Sequence, residues 1–337
     1  MSSNELMTEK KAGHIKQVVM IDSGYENYAI EQAILNDVGA CISEIPCEGN
    51  AERILAAVRD ADAVMLREAP LPRHIIERMG NCKVIVRYGA GVDNIDLKAA
   101  AERGIYVANV PDYGFEEVSD QALALLMSVV RRTVTRDNTV RNGGWNISRK
   151  EPMHRLVGGT LGLIGYGRIA RAFHRKAAGL GFSRTLIVDS HAQDLPAGTS
   201  LVDIDTLCSE SDVISLHVPL TPVTRHIISR ERLSLMKPNA VLINTARGGL
   251  IDEPALAEAI QNGKLFGAGI DVFEQEPVSP DNPLLQCKQV VISDHTGWYS
   301  ENSIADLQSK AAQEVYRVLS GTHPNNWVNN WLTPTGS

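Results

Sequence analysis

The 337-residue chain is short of aromatic side chains, at 5%, and of positive charge, with 33 Lys and Arg against 40 Asp and Glu and a formal net charge of −7. Such a balance gives no general attraction for nucleic acid or anionic lipid, so no nucleic-acid partner is expected and small molecules are the expected ligands. Cysteine is scarce as well. Cys41, Cys47, Cys82, Cys208 and Cys287 are odd in number, widely spread and include no C-x-x-C pair, which argues against a metal site or redox dithiol. They read as thiols of a reducing compartment, and a cytoplasmic protein is expected. Long apolar runs are missing too: the longest, ALALLMSVV from Ala122 to Val130, is far below the ~20 residues of a membrane span. The polar segment Met1–Gln17 has no signal-peptide core, so no membrane association is expected.

What remains is a globular composition, 44% apolar and 22% charged, in a chain long enough for two domains at roughly 100 to 200 residues each. From Gln17 onward, short β-branched runs alternate with amphipathic stretches: QVVMID, CISEI, DAVMLRE, KVIVRYG and IYVANV are the strand candidates. That alternation predicts a parallel sheet covered on both faces. Pro111 interrupts the rhythm, and Ala122, Leu125, Leu126 and Val129 at helical spacing predict a long helix from about Glu116 to Arg132. Residues 141–159, RNGGWNISRKEPMHRLVGG, read as an irregular arm. A second alternation, TLGLIG, RTLIVD, DVISLHV, AVLINTA, GAGIDV and VVISDH, predicts a six-stranded doubly wound sheet, and a last helix is expected from about Ser300 to Leu319.

Strand TLGLI runs into Gly165-Tyr166-Gly167-Arg168-Ile169-Ala170, a G-x-G-x-x-A pattern opening a helix. The first glycine permits a tight turn, the second lets backbone approach a pyrophosphate, and the small third residue lets helix and strand pack closely. Free N–H groups and the positive dipole end of the helix then face the phosphates. Alone, the pattern equally describes a tight strand-to-helix turn. Asp189 ends the next strand, 24 residues beyond Gly165, at the spacing expected of an acid that binds the adenosine ribose hydroxyls. A carboxylate there repels a 2′-phosphate, and Ser190 and His191 follow with no arginine, so NAD is expected rather than NADP.

Three further motifs close successive strands: INTARGGLIDE, GAGIDVFEQEP and ISDHTGWYSE. With VRYGAGVDNID and HVPLT, their order resembles the D-isomer-specific 2-hydroxyacid dehydrogenase family over about residues 17–322. The tail WYSE after His295 is most similar to the C-terminal-binding-protein branch. The resemblance implies a flavodoxin-like substrate domain, residues 14–110 plus 297–325, and a Rossmann NAD-binding domain, residues 111–296, inserted in it. Residues 1–13 and 326–337 would be tails, and hinges would lie near Pro111 and Thr296. It implies an NAD-dependent oxidoreductase of small 2-hydroxy or 2-oxo acids, specific for the D configuration, and a homodimer formed through the long helix and the arm bearing Trp145.

The resemblance places the catalytic arginine at Arg247, the acid at Glu276 and the histidine at His295. The chemistry suits these types: a guanidinium fork holds a carboxylate and polarises a carbonyl, an imidazole exchanges a proton with the substrate oxygen, and a carboxylate beside it favours imidazolium. Cofactor contacts would come from Gly165, Tyr166, Gly167, Arg168, Ile169, Asp189, Val218, Pro219, Thr224, Thr245, Ala246, Arg247, Asp271 and His295, and from Val118, which reads equally as helix core. Substrate contacts would come from Arg87, Ala90, Gly91, Arg247, His295 and Trp298; Arg87 reads equally as a surface ion-pair residue and Trp298 as a packing residue. Formate-oxidising relatives use glutamine where this chain has Glu276, which argues against formate. Arg67 and Arg87 suggest a second acidic group on the substrate, and a surface place for Arg67 fits as well. The alternative of another class is an NAD-sensing corepressor that recruits a peptide.

Overall fold

The computed structural model describes residues 15–145 and 152–330. It divides into two compact units, one reaching to Tyr113 and resuming at Glu301, the other running from Gly114 to Ser300. The first unit alternates β1 (Lys16–Ile21), α1 (Ala29–Leu35), β2 (Ala40–Ile45), α2 (Ala51–Val58), β3 (Ala63–Leu66), α3 (Arg73–Ile76), β4 (Val84–Arg87), α4 (Leu97–Glu102) and β5 (Tyr106–Ala108). The second contains α5 (Phe115–Arg131), α6 (Thr133–Arg141), β6 (Thr160–Ile164), α7 (Arg168–Ala177), β7 (Arg184–Val188), β8 (Thr199–Leu201), α8 (Ile204–Glu210), β9 (Val213–Leu216), α9 (Arg230–Leu235), β10 (Val241–Asn244), α10 (Glu253–Gln261), β11 (Gly267–Ile270) and β12 (Val290–Ile292). Helix α11 (Glu301–Leu319) returns to the first unit.

The first sheet is wholly parallel, in the order β2-β1-β3-β4-β5. Its strands are apolar runs buried on both faces: every residue of β3 is buried, as are Val84, Ile85 and Val86 of β4. Asn50 and Asp96 cap α2 and α4 by accepting hydrogen bonds from backbone N–H groups of the first turn, which explains where those helices begin. Helix α11 packs against α1 and β4, and Gln308 donates to the Asn27 carbonyl and to Glu31.

The second sheet has seven parallel strands, β12-β11-β10-β9-β6-β7-β8, so its order about β6 is that of a doubly wound dinucleotide-binding sheet. The expected six strands are present, and β8 is an addition. Its three residues, Thr-Ser-Leu, are mostly exposed at the sheet edge and carry no apolar run to announce them. Asp203 and Asp252 cap α8 and α10 in the same way as the caps of the first unit.

Two expectations about segment roles change. Residues 326–330 are not a loose tail: Trp327 pairs antiparallel with Ala108, Val328 N donates to Val107 O at 2.9 Å, and Asn329 lies 8% exposed. The segment covers the edge of β5, where an unpaired strand would leave donors and acceptors open. The crossings between units fall at 113/114 and 300/301, a few residues after Pro111 and Thr296, so Trp298 belongs to the second unit. Helix α6 buries none of its side chains, and Val134, Val140 and Trp145 are exposed. Residues 146–151 of the expected arm lie outside the described residues.

The side chain of Asn329 stands in for a strand. Its Oδ1 accepts from Val107 N at 2.8 Å and its Nδ2 donates to Ile105 O at 2.9 Å. Asn329→Ala leaves both backbone groups without that partner, and the expected loss is about 1–3 kcal/mol of unfolding free energy, measured by urea denaturation.

Candidate active site

The turn after β6 is shaped by Gly165, whose φ of +88° is in the left-handed region and whose absent Cβ would lie 2.7 Å from His217 O. The turn therefore passes tightly beside the end of β9, the neighbour of β6 at the point where strand order reverses. Gly167 N-caps α7 in an extended conformation with open space where a Cβ would be, and no side chain caps the helix. Gly167 brings no side-chain acceptor of its own to the first turn of α7 around Arg168 and Ile169, which fits a pyrophosphate there. Ala170 is fully buried beneath the turn, as the small third position of the motif requires. Asp189, after β7, accepts from Tyr166 N and His191 N, both at 2.7 Å, so its carboxylate is fixed in orientation with lone pairs to spare for ribose hydroxyls. Tyr166 is itself braced: its hydroxyl meets His174 Nδ1 at 2.9 Å and Arg171 lies over its ring.

Along the remaining strand ends, Val218 and Pro219 follow β9, and Thr224 donates from its hydroxyl to Pro219 O at 2.7 Å, bracing its own loop. Thr245 Oγ1, after β10, is buried with no hydrogen-bond partner among the described residues, as expected of a group that awaits a polar ligand. Val118 sits half-buried near the start of α5. His217 is the less useful of the two strand-end histidines: burial pushes its pKa down to about 3, so its ring stays uncharged at neutral pH.

Arg247, Glu276 and His295 follow β10, β11 and β12. Asn244 holds the first turn, accepting from Ala246 N and donating to Arg247 O at 2.8 Å. Gly248 is where the turns meet: a Cβ there would lie 1.8 Å from Phe273 C and 2.2 Å from Glu274 N. Only glycine lets the arginine turn lie against the glutamate turn. Buried Glu253 holds the latter, accepting from Glu274 N at 2.7 Å and from Asn282 Nδ2 at 2.5 Å. Glu276 Oε1 accepts from Phe273 N at 2.9 Å and Oε2 meets His295 Nδ1 at 2.6 Å. Burial raises the Glu276 pKa, but the hydrogen bonds from His295 and Phe273 and the charges of His295 and Arg247 outweigh it, and the net direction is down. A carboxyl whose folded pKa is lowered stabilises the fold above its ordinary range and loses that contribution only as pH falls through the lowered value. The pair therefore outlasts mild acidification.

His295 has a φ of +58°, an uncommon conformation for a residue with a side chain. Asp271 holds it there. The Asp271 carbonyl accepts from His295 N at 2.8 Å, while the 2%-exposed carboxylate accepts from Ser293 Oγ at 2.6 Å, Thr296 N at 3.3 Å and Gly297 N at 3.0 Å. Gln121 of α5 donates to Ser293 Oγ at 2.8 Å and extends the clamp. Asp271, expected among the cofactor contacts, has its carboxylate engaged by the histidine turn as well. Asn244, Gly248, Glu253, Gln121 and Ser293 were not singled out in the sequence, although Asn244, Gly248 and Glu253 lie inside the arginine motif and Ser293 inside the histidine motif.

In the first unit, Arg87 closes β4 and the exposed Ala90 follows it, with Asn109 Nδ2 donating to Ala90 O at 2.6 Å. Trp298, half-buried in the second unit, packs on Gly114.

Residues 123–297 match the family model described as D-isomer specific 2-hydroxyacid dehydrogenase, NAD binding domain. A glyoxylate reductase of Korarchaeum cryptofilum is 40% identical over 283 residues, covering 82% of this chain and 85% of its own length. A D-3-phosphoglycerate dehydrogenase of Methanocaldococcus jannaschii is 40% identical over 302 residues, 88% of this chain and 56% of its own. Among solved structures, the D-lactate dehydrogenase of Aquifex aeolicus in complex with NAD and lactic acid is similar with a TM-score of 0.82 at 28% identity, over 90% of this chain and 96% of that one.

Asp271→Asn keeps one acceptor but turns an NH2 group toward backbone donors. The expected outcome is a loss of about 2 kcal/mol in stability by urea denaturation, and a fall of roughly ten-fold or more in the turnover tested below, since the histidine is no longer held.

Proposed function

The chain belongs to the D-isomer specific 2-hydroxyacid dehydrogenases, NAD-dependent oxidoreductases that move a hydride to or from the second carbon of a 2-hydroxy or 2-oxo acid, and on that premise we propose which residues carry the reaction. The observation that carries the reading is the 2.6 Å contact of His295 with Glu276 beside Arg247. The Arg247 guanidinium holds the substrate carboxylate and polarises the neighbouring carbonyl oxygen. His295 gives that oxygen a proton on reduction and takes it back on oxidation, and Glu276 fixes the ring so that Nε2 is the working nitrogen. The nicotinamide supplies or accepts the hydride. Arg87 and the backbone N–H groups of Ala90 and Gly91 meet the substrate carboxylate, and Trp298 borders the substrate.

For the cofactor, Gly165, Tyr166, Gly167, Arg168 and Ile169 cradle the pyrophosphate and Asp189 takes the adenosine ribose. Val218, Pro219, Thr224, Thr245 and Ala246 line its path. Asp271 acts on the nicotinamide end through the turn it clamps, and Val118 packs near it. The D configuration and a cytoplasmic setting belong to the same reading; among the described residues no helix is long and apolar enough to cross a membrane.

Purified protein mixed with NADH and 2-oxo acids should consume NADH absorbance. His295→Gln should lower kcat by about 10²–10⁴-fold while NADH fluorescence still reports binding. Wild-type-like turnover by that variant would remove His295 from the mechanism.

A homodimer is part of the proposal, because α6 buries nothing of its own and ends near Trp145, which is 85% exposed. Sedimentation should give a species of twice the 36.7 kDa chain mass, and Trp145→Lys should shift it toward monomer.

A further inference from the structure

The Asp189 carboxylate is held by two backbone donors that belong to different segments. Its Oδ2 accepts from Tyr166 N in the glycine turn before α7, and its Oδ1 accepts from His191 N in the loop that leaves β7, both at 2.7 Å. Where the carboxylate points therefore depends on how those two segments sit against each other, and a binding group is only as well placed as the residues that support it.

The Tyr166 arm is anchored in the interior. Its side chain belongs to a residue 4% exposed, its hydroxyl meets His174 Nδ1 at 2.9 Å, and His174 Nε2 meets Thr185 Oγ1 of β7 at 3.1 Å. Burial pushes the His174 pKa down and the Tyr166 pKa up, so at neutral pH both rings are uncharged, and each has a hydrogen-bond partner. The chain of contacts ties the glycine turn to α7 and to β7.

The His191 arm is held differently. Residues 189–198 join β7 to β8 without a helix, and their packing on the apolar core comes from Ala192 and Leu195. The Gln193 carbonyl, two residues after His191, accepts from Arg171 Nη2 at 2.7 Å. The same guanidinium lies over the Tyr166 ring, with Cζ 4.5 Å from the centroid. Arg171 thus touches both arms at once, and a planar group with five donors is suited to lie on a ring face while donating from its edge to a carbonyl. Arg171 is exposed on α7, so it adds little to the core while joining the two segments that aim Asp189.

We propose that Arg171 is a positioning residue for the adenosine end of the cofactor: by tying the loop after β7 to the Tyr166 ring, it sets the orientation of the Asp189 carboxylate toward the ribose hydroxyls. The proposal rests on the assignment of Asp189 to the adenosine ribose made above and adds the side chain through which that carboxylate is aimed.

The test is a double-mutant cycle on the full chain, with NADH affinity read by nicotinamide fluorescence, a readout that does not depend on which acid is reduced. Arg171→Gln should weaken NADH binding about ten-fold and raise the KM for NADH in glyoxylate reduction to a similar extent. Its kcat at saturating NADH should stay within about two-fold of the parent, because the nicotinamide end is untouched, and its unfolding temperature should match the parent's. Asp189→Ala should weaken NADH ten-fold or more. Adding Arg171→Gln to Asp189→Ala should then change the affinity by less than two-fold, since the group that Arg171 aims has gone. A loss from Arg171→Gln that persists in full beside Asp189→Ala overturns the positioning role, and so does parent-like NADH binding by Arg171→Gln alone. If Asp189→Ala itself binds NADH within two-fold of the parent, the ribose assignment fails and the proposal fails with it.

Discussion

The chemistry of the second unit hangs on one buried carboxylate. Asp271 gathers donors from Ser293, Thr296 and Gly297 and holds the His295 turn in a backbone conformation that side chains seldom adopt. A left-handed residue of this kind costs of order 1–3 kcal/mol and persists only where its surroundings over-determine it. The 2.6 Å meeting of His295 with Glu276 is therefore a consequence of the clamp as much as of the pair itself. Gly248 does the corresponding work for Arg247 by letting one turn lie flat against the next.

These devices share an origin in the parallel sheet. Every strand of the second sheet points the same way, so the turns after β6, β9, β10, β11 and β12 emerge on one edge. That edge collects the glycine turn, an arginine, an acid and a histidine without any of them being neighbours in sequence. It also separates roles by environment. Fully enclosed His217 is kept uncharged, while His295 stays partly open and paired with a carboxylate.

Much of this was legible in the sequence because its signals are local. Strand periodicity located the buried runs, and glycine chemistry located the turn at Gly165 to within a residue. The order of the arginine, glutamate and histidine motifs identified the three side chains that the fold brings to one sheet edge. What stayed hidden depends on partners distant in sequence. Strand β8 has too few apolar residues to register, and the strap at 326–330 is held by Asn329 reaching back to Val107 and Ile105. The engagement of Asp271 could not be read because an aspartate after a strand looks the same whether its acceptors face a ligand or a neighbouring turn.

The return of α11 to the first unit bears on how the chain is made. The early strands and α1 leave the ribosome first, yet the helix that covers α1 and β4 follows only after residues 114–300. At synthesis rates of about 5–20 residues per second, that interval is on the order of 10–40 seconds. For that time the apolar face of α1 and the buried carboxylate of Glu31 await Gln308 and its helix. The inserted unit, whose segment is contiguous, is free to close first. The nascent first unit is thus the stage at which a chaperone would find exposed apolar surface.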